Sequence, residues 1–419
     1  MRVYLLIIIG IIFYVHPSVG QDRDKLVSVA NELFHKHQYD NAVRYYLGAN
    51  EIREDNFVVK RIADCYRLMN QSDEAEIYYE KLQKPEPDTT TFLYAQMLRR
   101  NGKYRDARKH FQRLQAAFPD KDIYSRHALY CDSALKWLGE RPLLRTVNVF
   151  KINSPYSDVT PVGFEDGIVF ASNREENIIR KKSSASNQPY FNLFQATRTE
   201  VAKFREPVLF SAAINSVHHE LAPSFTEDFN KIFFTRVEDH QGSGRNKDKI
   251  NRPKLYCCER TSLSWSRPLK FILNDSLYSF AHPCIEGSEK MFFFSADIPG
   301  GYGGTDIWVS FQVDKKWTDP INLGPVINSP GNEYYPFYHH DGTLYFTSDG
   351  HGGMGGFDIF MATQSGGDWV NIYNLKPPVN SSADDFSVYF NSDKTLGYFS
   401  SNRPGGLGKE DIYMILRNE

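Results

Sequence analysis

With 49 basic and 51 acidic side chains in 419 residues, the chain carries a net charge of −2, so no global field draws it to nucleic acid. Aromatic residues make up 14% and hydrophobic residues 41%, which excludes a disordered chain and leaves material for two or three cored domains. Cys65, Cys131, Cys257, Cys258 and Cys284 have no framework or zinc-ligand spacing and read as buried free thiols, with Cys257 and Cys258 on opposite faces of one strand.

Residues 1–20 read as an export signal: Arg2, an apolar run from Val3 to Val15, then Pro17 and small residues before Gln21. The run is short for a membrane span, and no cysteine follows it to take a lipid; an uncleaved anchor is the alternative. The mature chain is expected to be exported to the periplasm, at the outer membrane only through partners.

Residues 22–140 carry a helical period. Ala42 with Tyr46, Ala75 with Tyr79 and Ala107 with Phe111 place a small residue one turn before an aromatic one, at intervals of 33 and 32 residues. Tyr39, Ser72 and Tyr104 precede each pair, Pro85 and Pro119 close two of the units, and Ala63, Tyr66, Leu93, Tyr94 and Met97 supply facing helices. A helix from Ile123 to Leu138 serves as a cap. The basic run Arg99, Arg100, Lys103, Arg105, Arg108 and Lys109 reads either as a solvated face or as a surface for an acidic partner.

Residues 141–419 read as strand, turn, strand. FFFSADIPGGYGGTDIWVS, LYFTSDGHGGMGGFDIFMA and GYFSSNRPGGLGKEDIYMI place Asp306, Asp358 and Asp411 at intervals of 52 and 53 residues. Two degraded copies, from Gly167 and Lys231, put Asn192 and Lys254 at the aspartate position. Asn153-Ser154, Asn215-Ser216, Asn274-Asp275, Asn328-Ser329 and Asn380-Ser381 mark five repeats. A period of this length built from short strands predicts an all-β propeller of five blades, with six as the alternative. The last repeat lacks its outer strand, which residues 145–152 supply by pairing with the last blade. The Gly residues read as hairpin formers and the Asp residues as acceptors for turn amides, in preference to a calcium roll.

The helical units resemble the tetratricopeptide repeat, and the string from Tyr398 to Tyr413 resembles the WD40-like repeat of TolB-type propellers. The order of signal, helical array and propeller is similar to the PorE family of the type IX secretion system. That resemblance implies an envelope scaffold docking other envelope proteins, secretion components among them. Its departure is the C-terminal OmpA-like, peptidoglycan-gripping domain, which the sequence lacks, so peptidoglycan binding is not carried over.

No serine elbow, H-E-x-x-H or phosphate loop occurs, so no enzyme and no cofactor or metal is expected. Two candidate sites stand out. Long insertions replace the tight Gly turns in the degraded repeats and carry Arg174, Arg180, Lys181 and Lys182, and Arg236, Arg245, Lys247, Lys249 and Arg252. They read either as a basic lobe for an acidic partner or phosphate groups, or as mobile loops with no binding role. Asp158, Glu220, Glu333 and Asp384 enter four innermost strands, read either as caps of their own turns or as a funnel ring for a cation or basic peptide. The function expected is a non-enzymatic envelope scaffold; a propeller taking a small ligand or glycan in its central funnel is the alternative.

Overall fold

The computed structural model describes residues 17–82, 89–175, 189–238, 251–262 and 264–418. Seven helices come first: α1 (Pro17–His35), α2 (Tyr39–Ile52), α3 (Asn56–Leu68), α4 (Ser72–Glu80), α5 (Thr89–Arg100), α6 (Tyr104–Ala117) and α7 (Asp122–Leu138). No helix among the described residues is long and apolar enough to cross a membrane. The chain divides into two compact units between Met97 and Leu98, so α6, α7 and the last turn of α5 belong with the β-sheets; the compositional change lies further on, near residue 140.

In the first unit the small–aromatic pairs do what their spacing implies. Ala42, Tyr46, Ala75 and Tyr79 are all buried; the small residues let neighbouring helices approach, and each tyrosine fills the space left. Tyr46 donates its hydroxyl to Asn31 Oδ1 (2.6 Å) and Tyr79 to Asp64 Oδ1 (2.7 Å), so neither buried polar tip lacks a partner. Asp55 caps α3 by accepting from Val58 N–H (3.0 Å). Pro85, expected to close the second helical unit, lies outside the described residues.

The second unit holds five antiparallel sheets. After β1 (Leu144–Asn148), blade 1 contains β2 (Asp158–Phe164), β3 (Gly167–Ser172), β4 (Asn192–Glu200), β5 (Lys203–Phe204) and β6 (Val208–Leu209). Blade 2 contains β7 (His219–Phe225), β8 (Lys231–Val237), β9 (Lys254–Glu259) and β10 (Leu269–Lys270); blade 3, β11 (Phe280–Ile285), β12 (Met291–Ala296), β13 (Asp306–Val313), β14 (Lys316–Trp317) and β15 (Ile321–Asn322). Blade 4 contains β16 (Glu333–Tyr338), β17 (Leu344–Ser348), β18 (Asp358–Ser365) and β19 (Asp368–Asn374); blade 5, β20 (Asp385–Phe390), β21 (Leu396–Ser401) and β22 (Asp411–Arg417). The outer strand of blade 5 is β1, which pairs with β22 from Leu144–Arg417 to Asn148–Tyr413. The ring is thus five-bladed and closed by its first strand. That strand ends at Asn148, short of residue 152, because Ile152 N–H turns back onto Val149 O (3.0 Å).

Each sheet packs on both neighbours, so its second strand is buried on both faces and is apolar without alternation, as in Phe292–Phe293–Phe294. The core is five inter-blade clusters, one at each junction. Cys257 and Cys258 fall in different clusters, on opposite faces of β9.

The five Asn markers have one job. Each side chain accepts from the backbone N–H and donates to the carbonyl of one third-strand residue: Asn153 with Ile412, Asn215 with Leu193, Asn274 with Leu255, Asn328 with Ile307 and Asn380 with Ile359. The amide therefore stands in for a missing strand at the blade edge. Asn328→Ala should cost about 1–3 kcal/mol, because it strands the N–H of buried Ile307 and removes one of the two donors to Ile307 O, leaving Leu323 N–H (3.2 Å) as the other. A thermal melt checks this, and an unchanged midpoint would refute it.

Candidate functional site

The three intact glycine turns are held by their aspartates. Asp306 accepts from Tyr302 and Gly303 N–H, Asp358 from Met354 and Gly355, and Asp411 from Leu407 and Gly408, at 2.6–3.1 Å. Glycine is required by crowding here: a Cβ on Gly303, Gly355 or Gly408 would come within 2.0, 2.0 or 1.7 Å of Gly331, Ala383 or Tyr156 carbonyl oxygen in the next blade's entry loop. These turns are therefore inter-blade joints.

The acids and two of the basic residues form single constellations. Asp158 accepts from Ser154 N–H and hydroxyl and pairs with Arg174 (2.5 Å). Glu220 accepts from Ser216 in the same way and pairs with Arg236 (2.8 Å). Each arginine also reaches one carbonyl, Ile152 or Ile214, and lies over two aromatic rings, Phe170 and Phe194 or Phe234 and Tyr256. Blade 5 repeats the set with Arg403 and Asp385 (2.5 Å), Val379 O, Phe399 and Tyr413.

Asp385, not Asp384, is thus the fourth member of the acid set. It lies five residues after its Asn marker, as Asp158, Glu220 and Glu333 do, a count that identifies it in the sequence. Asp384, expected from the sequence as the fourth acid, lies one residue before it. Asp384 has a different role and accepts two bonds from Arg100 Nη2 (2.9 Å each). Asp158, Glu220, Glu333 and Asp385 are fully buried and cap their own entry turns; none lines the central cavity. Blade 3 has Phe280 at this position, with Lys254 donating to Asp275 and Tyr278 carbonyls.

Of the remaining insertion residues, Arg252 borders a small cavity with Glu238, Lys254, Lys270 and Asp275. Arg180, Lys181, Lys182, Arg245, Lys247 and Lys249 lie outside the described residues. Among the described residues no group of His, Cys, Asp and Glu is placed to hold a metal ion.

Glu333 differs from its three counterparts. Its partners are Ser329 N–H and hydroxyl and the Ser348 hydroxyl, and the carbonyl an arginine would take, Ile327 O, is met by His351. Burial pushes its carboxyl from 4.5 up to about 7. The folded chain therefore keeps a proton that the unfolded chain releases above 4.5. This contribution to stability is full below that value and lost as pH rises through about 7. Buried Asp358 moves the same way, to about 7. The melting temperature should fall between pH 5 and 7.5, and fall less in Glu333→Gln; an equal slope in the variant would overturn the assignment.

The central cavity, about 240 Å3, is bounded by the five innermost strands. Each carries a bulge with one residue at φ of +49 to +56°: Thr160, Ala222, His282, Tyr335 and Ser387. Proline follows in four, which removes a donor where no strand is present to accept it. The bulges are tied across blades by hydroxyls: Thr160 N–H to Ser400, His282 to Thr235 and Ser387 to Thr347. In blade 1 Ala171 replaces the hydroxyl residue, and Thr160 supplies its own to Ala222 N–H (3.1 Å).

The tetratricopeptide-repeat family model matches residues 61–89 and 91–121. A search of curated sequences gives no match. Among solved structures, Trypanosoma rangeli sialidase is 12% identical over 66% of this chain and 60% of its own length, with a TM-score of 0.39. A glycoside hydrolase is 9% identical over 66% and 92%, with a TM-score of 0.45. The Yersinia enterocolitica type III secretion chaperone SycD, in complex with a peptide of the translocator YopD, is 20% identical over 28% and 94%, with a TM-score of 0.23. These likenesses carry no argument about activity. Tetratricopeptide repeats followed by a five-bladed propeller define the class: a scaffold that binds a protein or a ligand.

Proposed function

We propose that the chain is a non-enzymatic scaffold of the cell envelope, exported by its first twenty residues and docked among other envelope proteins, with a place in type IX secretion. The observation that carries this reading is where the charged groups go. Asp306, Asp358 and Asp411 hold turns, and Asp158, Glu220 and Asp385 are sealed under arginines. The blades spend their ionisable chemistry on rigidity and leave loops for display. The export signal and the WD40-like strings support the envelope and secretion assignment.

The test is fractionation of cells expressing the full chain, with cross-linking and identification of its neighbours. Periplasmic recovery with secretion components cross-linked supports the proposal. Cytoplasmic recovery with residues 1–20 retained would overturn it. The central cavity, where the tilted rings of His282 and Tyr335 have their centroids 3.9 Å apart, favours a second reading as a small-ligand site. Saturable sugar or metabolite binding abolished by Tyr335→Ala, with partners unchanged, would support that reading instead.

A further inference from the structure

The glycine turn of blade 4 is already covered by this chain's own helices. Gly352 lies against Tyr130 of α7, so that a Cβ there would meet the ring at 2.5 Å. Arg99, in the last turn of α5, donates to Gly355 O (2.8 Å), and Arg100 grips Asp384 through both carboxylate oxygens. Met354, between the two glycines, is 1% exposed. The recognition elements are an apolar side chain at the turn tip, a turn carbonyl, and a carboxylate on the next blade's entry loop.

Blades 3 and 5 repeat the turn with its tip open: Tyr302 is 49% exposed and Leu407 50%. The entry loops beside them decide which turn matches. At the occupied junction Asp384 pairs with Asn402, its N–H donating to Asn402 Oδ1 (2.7 Å). Beside Tyr302 the same pair recurs with the two residue types exchanged. Asn332 N–H donates to Asp349 Oδ1 (2.7 Å) and Asn332 Nδ2 to Asp349 Oδ2 (3.1 Å), and this pair is exposed. The carboxylate is therefore kept, on the partner residue. Beside Leu407 the pair is Ser157 with Asn173, which has no charge, and Lys409 is exposed.

We propose that the blade 3 turn around Tyr302 is a docking surface for the arginine-bearing end of a helix in a partner protein. Tyr302 packs on the helix end from the position at which Met354 is buried in the covered turn. Gly303 O and Asp349 take the two arginines, a planar fork on a carboxylate being the geometry guanidinium favours. The inference deepens the docking reading above and names its surface and the partner's chemistry.

The probe is a stapled helical peptide with the sequence of residues 89–100, ending in the two arginines, titrated against the full mature chain. One saturable site is expected, weakened about tenfold by Tyr302→Ala and by Asp349→Asn, by a peptide with both arginines replaced by alanine, and not by Leu407→Ala. Tyr302 and Asp349 are exposed, and asparagine keeps the acceptor for Asn332 N–H, so the variants should melt with the parent, and this is measured alongside. No saturable binding, or equal affinity for the parent and both variants, would overturn the proposal. That failure would retire this surface alone, since the fractionation result does not depend on it.

Discussion

Arg403→Ala should destabilise the propeller by about 3–5 kcal/mol, the cost of leaving a buried carboxylate without its cation. Asp385 is fully buried, and Arg403 is its counter-charge at 2.5 Å. The same guanidinium donates to Pro378 O, Val379 O and Ser401 Oγ and lies 4.9 Å over Phe399 and 5.0 Å over Tyr413. Arg403→Lys should recover only part of the loss, because an ammonium cannot reach these groups as a planar fork. Replacing both members, Arg403→Met with Asp385→Leu, should be less damaging than Arg403→Ala, since no charge is then stranded. Chemical denaturation of the three variants gives the comparison; a double variant worse than the single one would show that the pair contributes net stability.

Gly408→Ala should be the most damaging methyl in the glycine turns. Its Cβ would sit 1.7 Å from Tyr156 O, a backbone atom that moves only with the β1–β2 connection. Overpacking of this kind costs about 1–3 kcal/mol, and more where backbone must shift. Asp411→Ala, which frees Leu407 and Gly408 N–H and the Asn148 side chain together, should reach a similar loss of about 3 kcal/mol. Both variants loosen the seam between β1 and β22. Amide exchange at Leu144–Asn148 should accelerate more than exchange at β17; a uniform change across the ring would contradict a seam defect.

The periodic parts of this molecule were legible because they are local. Aromatic strands, glycine turns and Asn-Ser markers recur within one blade, so five repeats and the role of β1 followed from spacing. The turn aspartates were legible too, since the amides they hold lie three and four residues away. The arginine–acid pairs were not. Arg174 and Asp158 are 16 residues apart, one just past the end of β3 and the other at the start of β2, and an arginine beside a polar insertion looked like part of a basic lobe. The bulge that gives Ser387 its positive φ likewise obscured the choice between Asp384 and Asp385. Arg99 and Arg100 read equally as a solvated face or as a surface for an acidic partner, and nothing local in a helix names partners 256 and 284 residues away in the same chain.

Closing the ring with its two ends sets the order of events during synthesis. The bond from Asn153 to Ile412 spans 259 residues, so β1 leaves the ribosome long before the strand it completes exists. Until Asp411–Arg417 emerges, blade 5 has no third strand, and two unpaired sheet edges remain open to pairing with other chains. A copy that stops early is left with that gap, whatever the quality of its first four blades. The seam therefore closes only in a molecule that carries both ends of the ring.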